Sequence, residues 1–250
     1  MKGIILSGGA GTRLRPLTRV TSKQLLPIYN KPMIYYPLEK LINAGITEIL
    51  IIVAPDHCGD YMKLLGSGKE FGVKFTYEIQ DKPNGLAEAF IIGEDFIGDD
   101  DVTMILGDNI FEDELSTAIE NFKGGGTIFA RKVSDPHRYG VVAFDENMKA
   151  TKIEEKPKEW ISDYAIPGIY IFDKRCVEAA KAAKPSERGE IEITEIHNWY
   201  LERNELNIEI LNGAWFDAGT FESYVETSHF VLELAKQGKE LGAKDTRDKK

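Results

Sequence analysis

Short aliphatic and β-branched runs alternate with helical periodicities through the first half of the chain. Residues 2–6, 48–54, 74–79 and 102–106 are short β-branched and aliphatic runs that read as buried strands. Such runs suit strands buried on both faces of a parallel sheet. Between them, residues 32–44 carry a helical pattern with Pro32 at the start and Gly45 just past the end, the usual asymmetry of helix termini. Residues 86–96 read as a second helix. From residue 126 the rhythm changes. Strands are expected at 126–133, 141–144, 150–155 and 166–172, then helices at 175–183 and 193–203. Strand-like pieces at 206–211 and 214–217 lead into a long helix at 221–237. The order of elements predicts an α/β fold with a mixed, mainly parallel sheet flanked by helices. One continuous domain is expected over 1–237, with parts at about 1–125 and 126–237. The charged stretch 238–250 lacks apolar anchors and is expected to be a flexible tail.

The composition, 42% hydrophobic and 29% charged over 250 residues, is that of a globular chain with a sizeable core. No apolar run approaches the roughly 20 residues of a membrane helix, and the start is too short for a signal peptide. A cytoplasmic protein without a membrane partner is expected. A formal charge of −10 argues against a nucleic-acid partner. Cations therefore have to be gathered locally to bind an anion. The first thirty-one residues do this with Arg13, Arg15, Arg19, Lys23 and Lys31, and no acidic residue stands among them. Cys58 and Cys176 fit no metal-ligand spacing and read as reduced, structural thiols.

The segment Leu6-Ser7-Gly8-Gly9-Ala10-Gly11-Thr12-Arg13-Leu14-Arg15-Pro16 follows the first strand directly. Glycines let backbone N–H groups approach phosphate oxygens, and an arginine adds a forked cation. Alone, the cluster equally describes a tight turn. It is not a Walker A loop, which ends in Gly-Lys-Ser/Thr, and a dinucleotide fingerprint would place glycine where Leu14 stands. Pro16 also keeps Arg15 out of the helical region, so an extended, wrapping loop is expected. Asp108 ends the fourth apolar run, after Gly107. The carboxyl ends of strands in an open parallel sheet form the ligand crevice, which makes Asp108 a candidate Mg2+ ligand; an Asx turn or helix cap is the alternative.

Residues 8–18, with Ser22-Lys23-Gln24-Leu25-Leu26-Pro27-Ile28, Lys31-Pro32-Met33-Ile34-Tyr35-Tyr36-Pro37 and Asp217-Ala218-Gly219-Thr220, resemble the signature of glucose-1-phosphate thymidylyltransferases. The resemblance spans nearly the whole chain. It implies a Rossmann-like nucleotidyltransferase core, GT-A-like, with a smaller sugar-binding portion, and transfer of a thymidylyl group from dTTP (or a uridylyl group from UTP) to glucose 1-phosphate. It implies Mg2+ held by Asp108 and Asp217, and catalytic cations Arg13, Lys23 and Lys156. The nucleotide side would comprise Leu6, Gly8, Gly9, Gly11, Thr12, Arg13, Lys23, Gln24, Gln80, Gly85 and Asp108. Gln80 would read the base, since a carboxamide can match the imide edge of thymine or uracil. The sugar-phosphate side would comprise Tyr139, Gly140, Glu155, Lys156, Ile166, Gly168 and Arg188. Longer members carry a further helical C-terminal segment associated with product inhibition and subunit contacts; a homo-oligomer, dimer or tetramer, is expected.

No histidine or nucleophile is required for this chemistry. A sugar phosphate is largely ionised at neutral pH, so catalysis reduces to alignment and charge stabilisation. His57, His137, His197 and His229 show no base–nucleophile pairing and read as surface or structural residues. Two rival classes are a silent subunit of the same fold and a dinucleotide-dependent oxidoreductase. The first conflicts with the joint presence of Arg13, Lys23, Asp108, Lys156 and Asp217, the second with Pro16 and the failed fingerprint.

Overall fold

The apolar runs of the first half become four neighbouring strands of one ten-stranded sheet, but residues 74–79 form its edge and are half-exposed rather than buried on both faces, because only one strand flanks them. The computed structural model describes residues 1–186 and 188–248. In chain order the first half holds β1 (Lys2–Ser7), the small hairpin β2 (Pro27–Ile28) and β3 (Lys31–Pro32), α1 (Tyr35–Asn43), β4 (Glu48–Val53), α2 (Cys58–Leu65), β5 (Lys74–Ile79), α3 (Glu88–Ile92), α4 (Glu94–Ile97), β6 (Val102–Leu106), β7 (Asn109–Phe111) and α5 (Ser116–Asn121). The second half holds β8 (Gly126–Lys132), β9 (Gly140–Phe144), β10 (Ala150–Glu155), β11 (Tyr164–Ala165), β12 (Ile169–Phe172), α6 (Cys176–Ala182), α7 (Ile193–Glu202), β13 (Leu206–Ile210), β14 (Trp215–Asp217) and α8 (Phe221–Lys236).

The sheet order is β10-β9-β11-β8-β12-β6-β1-β4-β5, with β13 paired to β8. β6, β1, β4 and β5 run parallel, whereas β12 is antiparallel to both β6 and β8. Alternation along β1 and β4 builds two cores, one per face. Ile4, Leu6, Leu50 and Ile52 pack with Phe90, Phe172, Ile196 and Tyr200. Ile5, Ile49, Ile51 and Val53 pack with Leu38, Leu41, Tyr61 and Leu65. A third cluster, containing Ile28, Met33, Ile110, Ala218 and Val231, fastens α8 beside the two-stranded ribbon of β7 and β14.

Several local readings change. The helix expected over 86–96 is two short helices turning at Gly93, which lies tight against Leu50 and Ile4 of the sheet. The strand expected over 166–172 is interrupted: Pro167 cannot donate to the ladder, and the Gly168 N–H turns away to the Asn109 side chain at 3.0 Å. After Asp108 the chain forms β7 rather than starting a helix. Thr220 caps α8, its hydroxyl accepting from the Ser223 N–H at 3.2 Å. The stretch after Gln237 lies against the fold instead of fraying away from it. The Ala243 N–H donates to the Tyr35 carbonyl, and Arg247 bonds the buried Asp245 and the Leu64 carbonyl. Lys31 and Glu39 also hold Gly242, and Leu241 packs against the third cluster, so long-range partners rather than local apolar pattern anchor this segment.

Candidate active site

The ends of β1 and β6 lie side by side, with Leu6 opposite Leu106, so the loops leaving them meet above the sheet. Arg15 is extended, φ −66° and ψ 140°, which keeps the loop from winding into a helix as Pro16 requires. Gly8 passes close over Gln80 at the end of β5: a Cβ there would lie 2.3 Å from Gln80 Oε1. Gln80 is buried and its amide nitrogen donates to Glu88 at 2.8 Å and to the Gly85 carbonyl at 3.3 Å. The buried Gln24 lies beneath the same loop, its Oε1 accepting from Ser22 (2.8 Å) and Tyr61 (3.3 Å). Gly9 has open space above it, Gly11 is left-handed at φ 58°, and Thr12 begins the single turn that carries Arg13.

Lys23 and Asp108 are both buried and form a short ion pair. Burial alone would raise the Asp108 pKa, but the Lys23 ammonium outweighs it and holds the carboxyl below its ordinary range. Asn109 Nδ2 also donates to Asp108 Oδ1 at 3.1 Å. Across the crevice stands Asp217, in register with Asn109 on the β7–β14 ribbon. Burial, and next the nearby Asp108 charge, push the Asp217 carboxyl up to about 6, against opposing pulls from Lys23, Arg13 and Arg138. Arg13 Nη2 and Asp217 Oδ1 each come within 2.9 Å of the point where a Cβ on Gly219 would lie. The structure therefore brings Arg13, Lys23, Asp108 and Asp217 to one spot.

Arg13, Asp108 and Asp217 border a cavity of about 500 Å³ that also takes in every residue expected on the sugar-phosphate side: Tyr139, Gly140, Glu155, Lys156, Ile166, Gly168 and Arg188. Lys156 follows β10 in a left-handed conformation, φ 46°, its N–H bonded to the Tyr139 carbonyl at 3.0 Å. Such a conformation is unfavourable for a side chain like lysine and is retained where surrounding structure imposes it, often at functional positions. Its ammonium lies 3.5 Å from Glu155. Burial raises the Glu155 pKa, with Lys156 pulling it back. Arg188 is ion-paired to Glu192 at 2.7 Å, with Glu190 and Glu155 at 3.4 and 3.9 Å.

Not every expected cation converges. Lys31 instead bonds the Leu241 and Gly242 carbonyls and Glu240 of the C-terminal segment. The nucleotide-side residues Leu6, Gly8, Gly9, Gly11, Thr12, Lys23, Gln24, Gln80 and Gly85 do not line this cavity but adjoin it, through the Lys23–Asp108 pair and through Leu86 on its wall. Residues that sequence reasoning missed include Asn109, Trp215 and His197. Asn109 is a buried hub: its Oδ1 accepts from Trp215 Nε1 at 2.7 Å and from the Gly168 N–H at 3.0 Å. Its place beside Asp108 was the only available signal.

Residues 2–233 match the family model described as nucleotidyl transferase. A glucose-1-phosphate thymidylyltransferase of Neisseria meningitidis is 52% identical over 237 residues, covering 92% of this chain and 82% of that protein. This chain belongs to the nucleotidyl transferase family, with the glucose-1-phosphate thymidylyltransferases. Another member, from Mycolicibacterium smegmatis, is 50% identical over 97% of this chain and 86% of its own length. A Bacillus anthracis structure assigned as a glucose-1-phosphate thymidylyltransferase, in complex with sucrose, superposes with a TM-score of 0.88 at 48% identity. It covers 92% of this chain and 94% of that one. The α/β mixed sheet expected from the strand pattern, and the nucleotidyltransferase fold and enzyme class implied by the resemblance, hold.

For a glucose-1-phosphate thymidylyltransferase, the donor set bears on the metal. Among the described residues no group of three or more His, Cys, Asp or Glu could hold an ion. Magnesium, however, is commonly held by one or two carboxylates and completes its shell with water and substrate phosphate. Asp108 and Asp217, near enough for one charge to raise the other's pKa, fit that demand. Among the described residues no helix is long and apolar enough to cross a membrane.

Proposed function

We propose that this enzyme transfers a thymidylyl group from dTTP to glucose 1-phosphate, giving dTDP-glucose and pyrophosphate, in the cytoplasm and toward dTDP-sugar synthesis. One observation carries the reading: two sets of cations, Arg13 with Lys23 and Lys156 with Arg188, flank a pair of aspartates in one crevice. That arrangement suits two anions that must meet despite a net charge of −10. Residues of about 1–125 would hold the nucleotide, those of about 126–237 the sugar.

In this reading Gln80 faces the imide edge of the base and the glycine loop cradles the triphosphate. Arg13 grips the phosphates and stabilises charge on the departing pyrophosphate. Lys156 and Arg188 fix the sugar phosphate, while Glu155 accepts from hexose hydroxyls. A phosphate oxygen of the sugar attacks the α-phosphorus in line, the bond to the bridging oxygen breaks, and no proton has to be removed first. Asp108 and Asp217 would hold Mg2+, which when bound offsets charge at the transferred phosphoryl group. Lys23 keeps Asp108 ionised and so ready for that ion.

Thymine and uracil share the edge that Gln80 faces, and no residue named here meets a 5-methyl group. The test is pyrophosphate release with glucose 1-phosphate, Mg2+ and dTTP, UTP, ATP or GTP in parallel. Fastest release with dTTP is expected, UTP following. Absence of release with every pyrimidine triphosphate overturns the proposal.

A further inference from the structure

Tyr61 lies on α2, is fully buried, and belongs to the core that contains Leu38, Leu41 and Leu65. A phenylalanine would fill that space without the cost of enclosing a hydroxyl. The phenolic oxygen serves the loop of the active site instead. It stands 2.7 Å from Ser22 Oγ and donates to Gln24 Oε1 at 3.3 Å, while Ser22 Oγ donates to the same carboxamide oxygen at 2.8 Å. All three side chains are buried. Burial also pushes the phenol pKa up, so the group stays protonated and keeps its proton to donate.

The two residues that meet this hydroxyl flank Lys23. Backbone bonds shape the turn Lys23–Leu25: the Leu25 N–H donates to the Ser22 carbonyl at 3.1 Å and the Ile34 N–H to the Gln24 carbonyl at 2.9 Å. Those bonds fix the main chain but not the side chains of Ser22 and Gln24, which α2 holds from outside the turn. Gln24 in turn packs against the strand end that carries Asp108. A Cβ on Gly107 would lie 2.9 Å from Gln24 Cγ and 2.4 Å from Ser7 Oγ. Lys23 pairs with Asp108 directly. Two consecutive residues, Lys23 and Gln24, therefore set where Gly107 and Asp108 lie, and one hydroxyl from a distant helix clamps the turn that carries them. Buried hydrogen-bond networks that are fully met rigidify what they join.

We propose that Tyr61 is a positioning residue for the reaction, its hydroxyl acting through Ser22 and Gln24 to hold Lys23 against Asp108. It touches neither substrate nor metal. This rests on the reading that Lys23 and Asp108 serve the transferred phosphoryl group, where a small misplacement costs rate steeply.

The test compares wild type with Tyr61→Phe, Ser22→Ala, the two combined, and Tyr77→Phe, reading Tm, kcat and the KM of each substrate by pyrophosphate release. The Tyr77 hydroxyl donates to the Gly66 carbonyl at 2.6 Å, so its loss removes a comparable bond away from the turn. Tyr61→Phe should lower kcat about tenfold, leave the KM for glucose 1-phosphate within about twofold, and lower Tm by no more than about 4 °C. Ser22→Ala, which leaves the ring packing untouched, should reproduce the fall in kcat. Because both hydroxyls act on one carboxamide, the double variant should lose no more than about twofold beyond either single change. Tyr77→Phe should cost similar stability with kcat unchanged. A folded Tyr61→Phe with wild-type kcat, a fall in kcat that Tyr77→Phe shares, or losses that multiply in the double variant overturn the proposal and leave the assigned reaction standing. A wild type that releases no pyrophosphate from dTTP and glucose 1-phosphate overturns both.

Discussion

Asn109→Ala tests whether the site is held together by a single buried amide. The wild-type side chain accepts from the Gly168 N–H (3.0 Å) and the Trp215 indole (2.7 Å) and donates to Asp108 (3.1 Å). Truncation strands the buried Gly168 donor, which costs about 1–3 kcal/mol. The indole is only partly buried and finds water more easily, so its loss adds less. Loss of the neutral donor to Asp108 adds about 1 kcal/mol. The total should be about 3 kcal/mol, or roughly 6–12 °C in Tm for a chain of this size. Because the proposed reading puts Gly168 on the sugar side and Asp108 at the transferred phosphoryl group, kcat/KM should fall about 10- to 100-fold at temperatures where the variant stays folded. Chemical denaturation and pyrophosphate release measure the two effects. A variant within about 1 kcal/mol of wild type, with unchanged kcat/KM, would refute the hub.

Other consequences are independent of that one. Lys156→Ala should raise the KM for glucose 1-phosphate at least about tenfold with little change in the nucleotide KM; equal shifts in both would count against its assignment. Gly8→Ala drives a methyl into Gln80 Oε1 and should weaken dTTP binding about tenfold or more while sparing sugar binding, a split that isothermal titration reads directly. Thr220→Ala removes the cap of α8 and should lower stability by about 1 kcal/mol in denaturant titration. His197 also imposes a pH dependence on folding. Its folded pKa, about 3, lies below the unfolded value, so its full contribution is present above about pH 6.5 and is lost as the pH falls from there toward 3. The slope approaches about 1.4 kcal/mol per pH unit, at most about 5 kcal/mol in all, and His197→Phe should flatten it in acid-denaturation curves.

The central strand β6 was legible because burial on both faces writes itself as an apolar run; the edge strands β5 and β10 also fall at the expected residues, through spaced rather than continuous apolar positions. That the segment after β1 does not wind into one helix was legible, because its glycines and Pro16 impose distinct backbone demands. The break at Gly93 was not, since its cause is contact with Leu50 and Ile4 from distant strands. Trp215 and Asn109 escaped notice for a similar reason, and His197 was read only as a surface or structural residue. Each is unremarkable beside its sequence neighbours, and its role appears only when β7, β12, β14 and α7 come together around the cavity. Asp108 shows the converse. Its strand-end position was readable, but its buried pairing with Lys23 was not. That pairing makes alanine a poor test, because removing one partner of a buried pair destabilises by about 3–5 kcal/mol.

Asp108→Asn keeps the side-chain shape and one acceptor, so it leaves no cavity beside Lys23 while halving the carboxylate set, and its Mg2+-dependent pyrophosphate release from dTTP and glucose 1-phosphate is the most direct measurement. In protein shown by circular dichroism to be folded, turnover should fall by about three orders of magnitude, in keeping with loss of several kcal/mol of charge stabilisation. Turnover within a few-fold of wild type would contradict the claim that Asp108 and Asp217 together complete the site in which the two anions react.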